Sequence, residues 1–249
     1  MCSCSLTIHK GREDSIAICK CKEGDEDDNG LALNGLLTSA GIHAREWIST
    51  TSALYTIQSL LQLFKSPEAA RHQDVRANLT YLIMPMLNPD GYEFSRLHER
   101  LWRKNRRPPP AGQNGCFGVD LNRNYDVIGF GVGASNQSCS DTYLGPFPAS
   151  EPEVRAAAKV VMRYRRNLRA SLSLHSYGKL ALQQLGTVFI RMRVIIGQKW
   201  LTSWGFTTQP ALDNDKLMDL GRRATAAMEA VNGRQYEVEA AGAMYPAGT

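Results

Sequence analysis

The order of its segments places this chain in the α/β class, as a three-layer α/β/α arrangement with a mixed, mostly parallel central sheet. Two observations predict this. Apolar runs of strand length alternate with longer segments whose apolar residues recur at helical spacing. The 249 residues also contain no internal repeat and no linker long enough to divide them, so one domain over 1–249 is expected.

Taken in order, residues 13–21 alternate apolar and polar and end in Cys19-Lys-Cys21, the pattern of a short edge strand. Gly24-Asp-Glu-Asp-Asp-Asn-Gly30 reads as a solvated loop between strands, because its acids match no calcium-loop spacing. Leu31 to Thr38 is apolar enough for a buried strand and runs into Ser39-Ala-Gly41, where small residues permit a tight turn. From Trp47 to Phe64 the apolar positions Ile48, Ala53, Leu54, Ile57, Leu60, Leu61 and Phe64 mark a helix, stopped by Ser66-Pro67. Leu79 to Leu87 is a second buried strand, closed by the turn residues Asn88-Pro-Asp-Gly91. Ser150-Glu-Pro-Glu153 supplies a cap residue, a proline and acids at the start of a helix that continues through Val154 to Tyr164. Leu168 to Leu174 is the next strand and delivers His175 at its end, and Asp213 to Val231 forms a further amphipathic helix.

The composition, 43% hydrophobic and 21% charged, suits a globular protein, and nothing near about 18 consecutive apolar residues is present to cross a membrane. A net charge of +5 is mild, and its densest runs, Trp102–Arg107 and Arg163–Arg166, are short, whereas a nucleic-acid binder usually concentrates its charge in a patch with interleaved aromatics. Met1-Cys-Ser-Cys-Ser-Leu6 has no basic start followed by an apolar stretch, whereas six cysteines point toward an oxidising compartment. Cytosolic residence and a start lying further upstream both remain open on these grounds. Cys2-x-Cys4 and Cys19-x-Cys21 do not have zinc-ribbon spacing.

One constellation carries chemistry. His43 and Glu46 are three residues apart where a buried strand gives way to a long helix, a spacing that turns both side chains toward one point. In open α/β sheets, ligands bind beyond the carboxyl ends of the strands, and His175 ends another strand. Two imidazoles and one carboxylate suit Zn²⁺ better than Ca²⁺ or Mg²⁺, and three protein ligands leave the open position of a catalytic site. Spacing alone also allows a polar residue at a helix start and a hydrogen-bonded histidine at a strand end.

The surrounding wording goes further. Gly-Ile-His43-Ala-Arg45-Glu46-Trp47, Asn88-Pro-Asp-Gly-Tyr92, Leu101-Trp-Arg-Lys-Asn-Arg106, Gly118-Val-Asp-Leu-Asn-Arg-Asn-Tyr125 and Ser173-Leu-His-Ser-Tyr177 occur in the order found in the M14 zinc metallocarboxypeptidases. The chain resembles the A/B branch of that family, most strongly over residues 31–182.

The resemblance implies a zinc-dependent peptidase that removes the last residue of a peptide or protein with a free C-terminus. Its zinc ligands would be His43, Glu46 and His175, with Asp120 holding the far nitrogen of His43. Asn122 and Arg123 would bind the substrate carboxylate, since an arginine fork donates two parallel hydrogen bonds, with Arg45 nearby. Arg103 would stabilise the oxyanion, and Ser176 and Tyr177 would contact the upstream substrate. The resemblance further implies a Cys116–Cys139 disulfide, a secreted monomer, and no nucleic-acid or membrane partner.

Two departures are expected. The family's general-base glutamate, its mobile tyrosine and its pocket residue lie beyond a stretch that Ala243–Thr249 resembles, so the chain is expected to be a catalytic domain incomplete at its C-terminus and inactive alone. Glu237, Glu239 and Tyr245 match none of those positions. The alternative is a pseudocarboxypeptidase that binds zinc and peptide without catalysis. Residues 184–203 read as an insertion.

Overall fold

The computed structural model describes residues 3–8, 17–22, 35–66, 79–109, 115–125, 130–131, 133–176, 194–196, 199–202, 214–233 and 235–240. The expected acidic loop at 24–30, Tyr177, much of 184–203 and the stretch 243–249 lie outside the described residues.

The strands are β1 (Ser3–Ile8), β2 (Ala17–Lys22), β3 (Gly35–Ser39), β4 (Thr80–Met84), β5 (Leu168–Ser176), β6 (Val194–Ile196), β7 (Lys199–Thr202) and β8 (Glu237–Ala240). The helices are α1 (Trp47–Lys65), α2 (Pro89–Leu97), α3 (Pro152–Tyr164) and α4 (Asn214–Asn232), with a single 3₁₀ turn at Leu121–Arg123. Six strands form one sheet in the order β1-β2-β4-β3-β5-β6, and β7 pairs with β8. The β4-β3-β5-β6 part is parallel, while β1-β2 and β2-β4 are antiparallel. The mixed, mostly parallel sheet is therefore present.

Alternation along β4 explains the three layers. Leu82 and Met84 join Leu37, Val154, Ala157, Val160 and Val161 in one apolar cluster, on the side that α3 covers. Ile83 and Tyr81 point the other way, into a cluster with Ala53, Leu60, Phe64 and Leu174, where α1 packs. A strand buried on both faces has to read as a near-continuous apolar run, as Tyr81-Leu-Ile-Met84 does.

Three expectations change. β2 is not an edge strand, because β1 pairs along its outer side from Ser3↔Lys22 to Ile8↔Ala17. Asn88-Pro-Asp-Gly91 is a helix start rather than a turn: Asn88 caps α2 by accepting from Gly91 N at 3.0 Å, with Pro89 in the first turn. On α1, Ile48 and Leu54 face outward (45% and 53% exposed) while Ser49 and Thr50 are buried. Ser49 earns that position by accepting from Gly41 N at 3.1 Å and donating to Glu46 O at 2.7 Å. Cys19 is disulfide-bonded, which removes it from a cysteine zinc site. Among the described residues, no helix is long and apolar enough to cross a membrane. Within the segment expected as an insertion, β6 extends the main sheet and β7 pairs with β8.

Candidate metal centre

The site is built from the ends of two adjacent parallel strands. β3 and β5 pair in register from Leu36↔Ala170 to Ser39↔Ser173, so the chain leaving β3 emerges beside the end of β5. After β3, Gly41 takes φ +67°, and a Cβ there would lie 2.6 Å from Thr50 Oγ1, so the turn requires glycine. That turn is held by Asn88, whose backbone N–H donates to Gly41 O at 3.1 Å and whose Nδ2 donates to Ile42 O at 3.2 Å. His43 and Glu46 follow immediately, at the N-terminal end of α1.

His43, Glu46 and His175 are all buried, and one ligand atom from each lies within 4.8 Å of the others. They are the only such cluster among the described residues. Glu46 Oε1 is 2.7 Å from His43 Nδ1, and Oε2 is 3.0 Å from His175 Nδ1. Ser176 N also donates to Oε2, at 3.1 Å. Burial alone would raise the Glu46 pKa, but the two imidazoles outweigh it and hold the carboxyl far below its ordinary value.

The donor set fits zinc, and one buried atom strengthens the fit. His43 Nε2 faces Asp120 Oδ1 at 3.3 Å, yet it has no aligned hydrogen-bond partner among the described residues. A proton on Nε2 would be attracted to that carboxylate, and the same tautomer frees the Nδ1 lone pair for a metal. His175 Nε2 lies 3.2 Å from Ser173 Oγ, which stands two residues earlier on the same face of β5.

Asp120 also caps the 3₁₀ turn by accepting from Asn122 N at 3.0 Å. Its Oδ2 accepts from Arg103 Nε at 3.0 Å and Nη2 at 2.8 Å. Complete burial would raise the Asp120 pKa, but Arg103, His43 and Arg123 hold it well below the usual carboxylate range. Asn122 is buried, and Arg123 follows with Nε on Gly133 O at 2.9 Å. Arg45 donates to Leu101 O and to Asp141 Oδ2, each at 3.1 Å. Ser176 is buried beside Glu46. The structure thus gathers His43, Glu46, His175, Asp120, Arg103 and Ser176 into one bonded group, with Asn122 and Arg123 on the adjoining turn. Cys116 and Cys139 form a disulfide.

Several contributors escaped the sequence reading. Ser173 was detectable from strand alternation, since it shares a face with His175. Asp141 was not, because an exposed acid carries no functional mark in sequence, and Asn88, although within a motif quoted for the resemblance, was read only as part of a turn.

The profile of the family described as zinc carboxypeptidase matches residues 7–249. The chain is 33% identical to carboxypeptidase B of Astacus astacus over 230 residues, covering 92% of this chain and 65% of that protein. It is 39% identical to zinc carboxypeptidase A 1 of Drosophila melanogaster over 178 residues, 72% of this chain and 39% of the relative. The chain therefore spans about two thirds or less of the length of these relatives. Among solved structures, bovine thrombin-activatable fibrinolysis inhibitor in complex with a tick carboxypeptidase inhibitor aligns with a TM-score of 0.75 at 28% identity. That alignment covers 98% of this chain and 70% of the other.

Proposed function

The chain belongs to the zinc carboxypeptidase family, and we propose that the protein hydrolyses the C-terminal peptide bond of peptides and proteins. The observation that carries this reading is the Asp120 carboxylate, which joins a metal-ligand histidine to an arginine through its two oxygens.

His43, Glu46 and His175 are the residues that would hold Zn²⁺, which when bound supplies Lewis acidity and makes water a stronger acid. The protein's own groups do the rest. Asp120 keeps the proton of His43 on Nε2 and orients Arg103, whose Nη1 is not used by Asp120 and serves the oxyanion that develops at the scissile carbonyl. Asn122 and Arg123 take the substrate's terminal carboxylate, with Arg45 beside them. By the resemblance of Ser173-Leu-His-Ser-Tyr177 to the family motif, Ser176 and Tyr177 contact the upstream part of the substrate. The Cys116–Cys139 disulfide supports a role outside the reducing cytosol, and a monomer acting on peptides, without nucleic acid or membrane, fits this site.

A second reading, binding of zinc and peptide without cleavage, draws on one observation. Among the described residues, the carboxylates within bonding distance of the two histidines are Glu46 and Asp120, and both are already committed. Neither is placed to serve as the general base that hydrolysis requires.

The test is mass spectrometry of peptides incubated with the purified, zinc-loaded protein. Stepwise loss from free C-termini, with amidated peptides cleaved far more slowly, is the expected result. Zinc-dependent peptide binding with no product would leave the second reading, and equal attack on amidated peptides would sink both.

A further inference from the structure

The loops that carry Arg103 and Asn122–Arg123 converge on a buried acid that touches neither. Glu151, the N-cap position of α3, is 1% exposed. Its Oε1 accepts from Arg107 Nη1 at 2.9 Å and Ser150 Oγ at 2.6 Å, and its Oε2 accepts from Asn105 Nδ2 at 2.8 Å. Asn105 stands two residues after Arg103, and its Oδ1 accepts from Val119 N at 2.8 Å, next to Asp120. On the other side, Glu151 N donates at 3.1 Å to Oδ1 of Asn124, the residue after Arg123. Asn124 Nδ2 in turn donates to Ser150 Oγ at 2.9 Å. Three segments are thus tied together around Glu151: its carboxylate holds 103–107 to 149–153, and its backbone N–H and the Asn105 side chain bring in 118–124.

We propose that Glu151 is a positioning residue: it fixes the distance between the oxyanion arginine, Arg103, and the carboxylate grip, Asn122 and Arg123. This rests on the function proposed above. A simple helix cap does not account for the arrangement, because the Glu151 side chain makes no cap hydrogen bond to its own helix. Both of its oxygens instead face donors from other segments. Only a carboxylate satisfies that demand. An amide of the same shape would set its NH₂ against either Asn105 Nδ2 or the Arg107–Ser150 pair, leaving donor against donor. Among the described residues no hydrogen bond joins Glu151 itself to His43, Glu46 or His175, although Ala44 N donates to Arg103 O at 3.1 Å, so zinc content is followed as a separate readout.

The test compares wild type with Glu151→Gln in the zinc-loaded protein, using matched peptides with free and amidated C-termini. Wild type prefers the free carboxylate. In Glu151→Gln, KM for the free form rises and the preference shrinks, each roughly tenfold, because displacing a positioning group by a fraction of an ångström costs that much. Zinc content stays unchanged. A loss of folded protein would scale kcat for both peptides equally and leave the preference intact, and that outcome overturns the proposal. If Glu151→Gln fails to fold, Ser150→Ala removes one donor from Oε1 and is expected to shrink the preference in the same direction. An unchanged preference there also overturns it. A wild type that shows no preference removes the proposed function itself, and this inference with it.

Discussion

Arg103 donates from both Nε and Nη2 to a single oxygen of Asp120, leaving the other carboxylate oxygen to face His43. Removing the Asp120 charge therefore disturbs two functions at once. In Asp120→Asn, zinc affinity is expected to fall roughly 10- to 100-fold, because the histidine loses the partner that fixes its tautomer. Stability should also drop by about 3 kcal/mol, since Arg103 is left largely buried without its counter-charge. Chelator competition and thermal melting measure the two effects separately.

Metal removal should destabilise the fold in a concentration-dependent way. The triad is complete only in the folded chain, so added Zn²⁺ binds the native state and raises Tm. At 1,000 times the dissociation constant the gain is about 4 kcal/mol. Glu46→Gln should abolish most of this response, as followed by calorimetric scans across a zinc series. A Tm independent of zinc would argue against the site.

Glu153 gives the protein a distinctive pH dependence. Burial pushes its carboxyl up to about 6 from 4.5, with Glu151 and Asp90 adding to the effect and donation from Asn105 opposing it. The folded state therefore binds this proton more tightly than the unfolded chain. Its contribution to stability is fully present below about pH 4.5 and is lost as pH rises through about 6, a total of about 2 kcal/mol. Glu46 and Asp120 have the opposite sign: their depressed values stabilise above the unfolded carboxylate range, and that stability is lost on acidification. The Glu153 share is isolated by comparing wild type with Glu153→Gln in denaturant titrations between pH 4 and 7. The difference should change across that window, and a constant difference would contradict the assignment.

The Cys116–Cys139 disulfide closes a loop with a sequence separation of 23 residues. Chain-entropy arguments give such a loop about 3 kcal/mol of stabilisation. Replacing both cysteines by serine should lower the unfolding free energy by that amount. Cys139 lies between Ser138, whose O accepts from Lys104 Nζ, and Asp141, which accepts from Arg45, so hydrogen exchange should rise first between residues 134 and 144.

The sequence was most readable where geometry is local. The helix over 47–65 and the strand over 80–84 follow from periodicity, and the His43–Glu46 pair follows from a spacing of three at a strand-to-helix junction. β1 was missed because Ser3–Ile8 becomes a strand only through its partner β2. The apolar periodicity of α1 misassigned Ile48 and Leu54, because Ser49 is needed inside to satisfy the Gly41 turn. Glu151 was read as part of a helix start, since nothing in Ser150-Glu-Pro-Glu153 reveals that Asn105, 46 positions earlier, supplies its partner. Buried polar hubs depend on pairings distant in sequence, and those have no local signature.

The pairing of β3 with β5 also makes the metal site a reporter of folding. Glu46 and His175 are 129 positions apart and meet only when those strands lie side by side in the native register. A slip of one residue would turn His175 to the opposite face of the sheet and leave a two-ligand site. While β5 remains undocked, the early chain offers only His43 and Glu46, which should hold zinc weakly. Tight zinc capture during refolding would therefore time the arrival of β5, a non-local step expected to be slow. A chain that misplaced that strand would be distinguishable by its metal affinity alone.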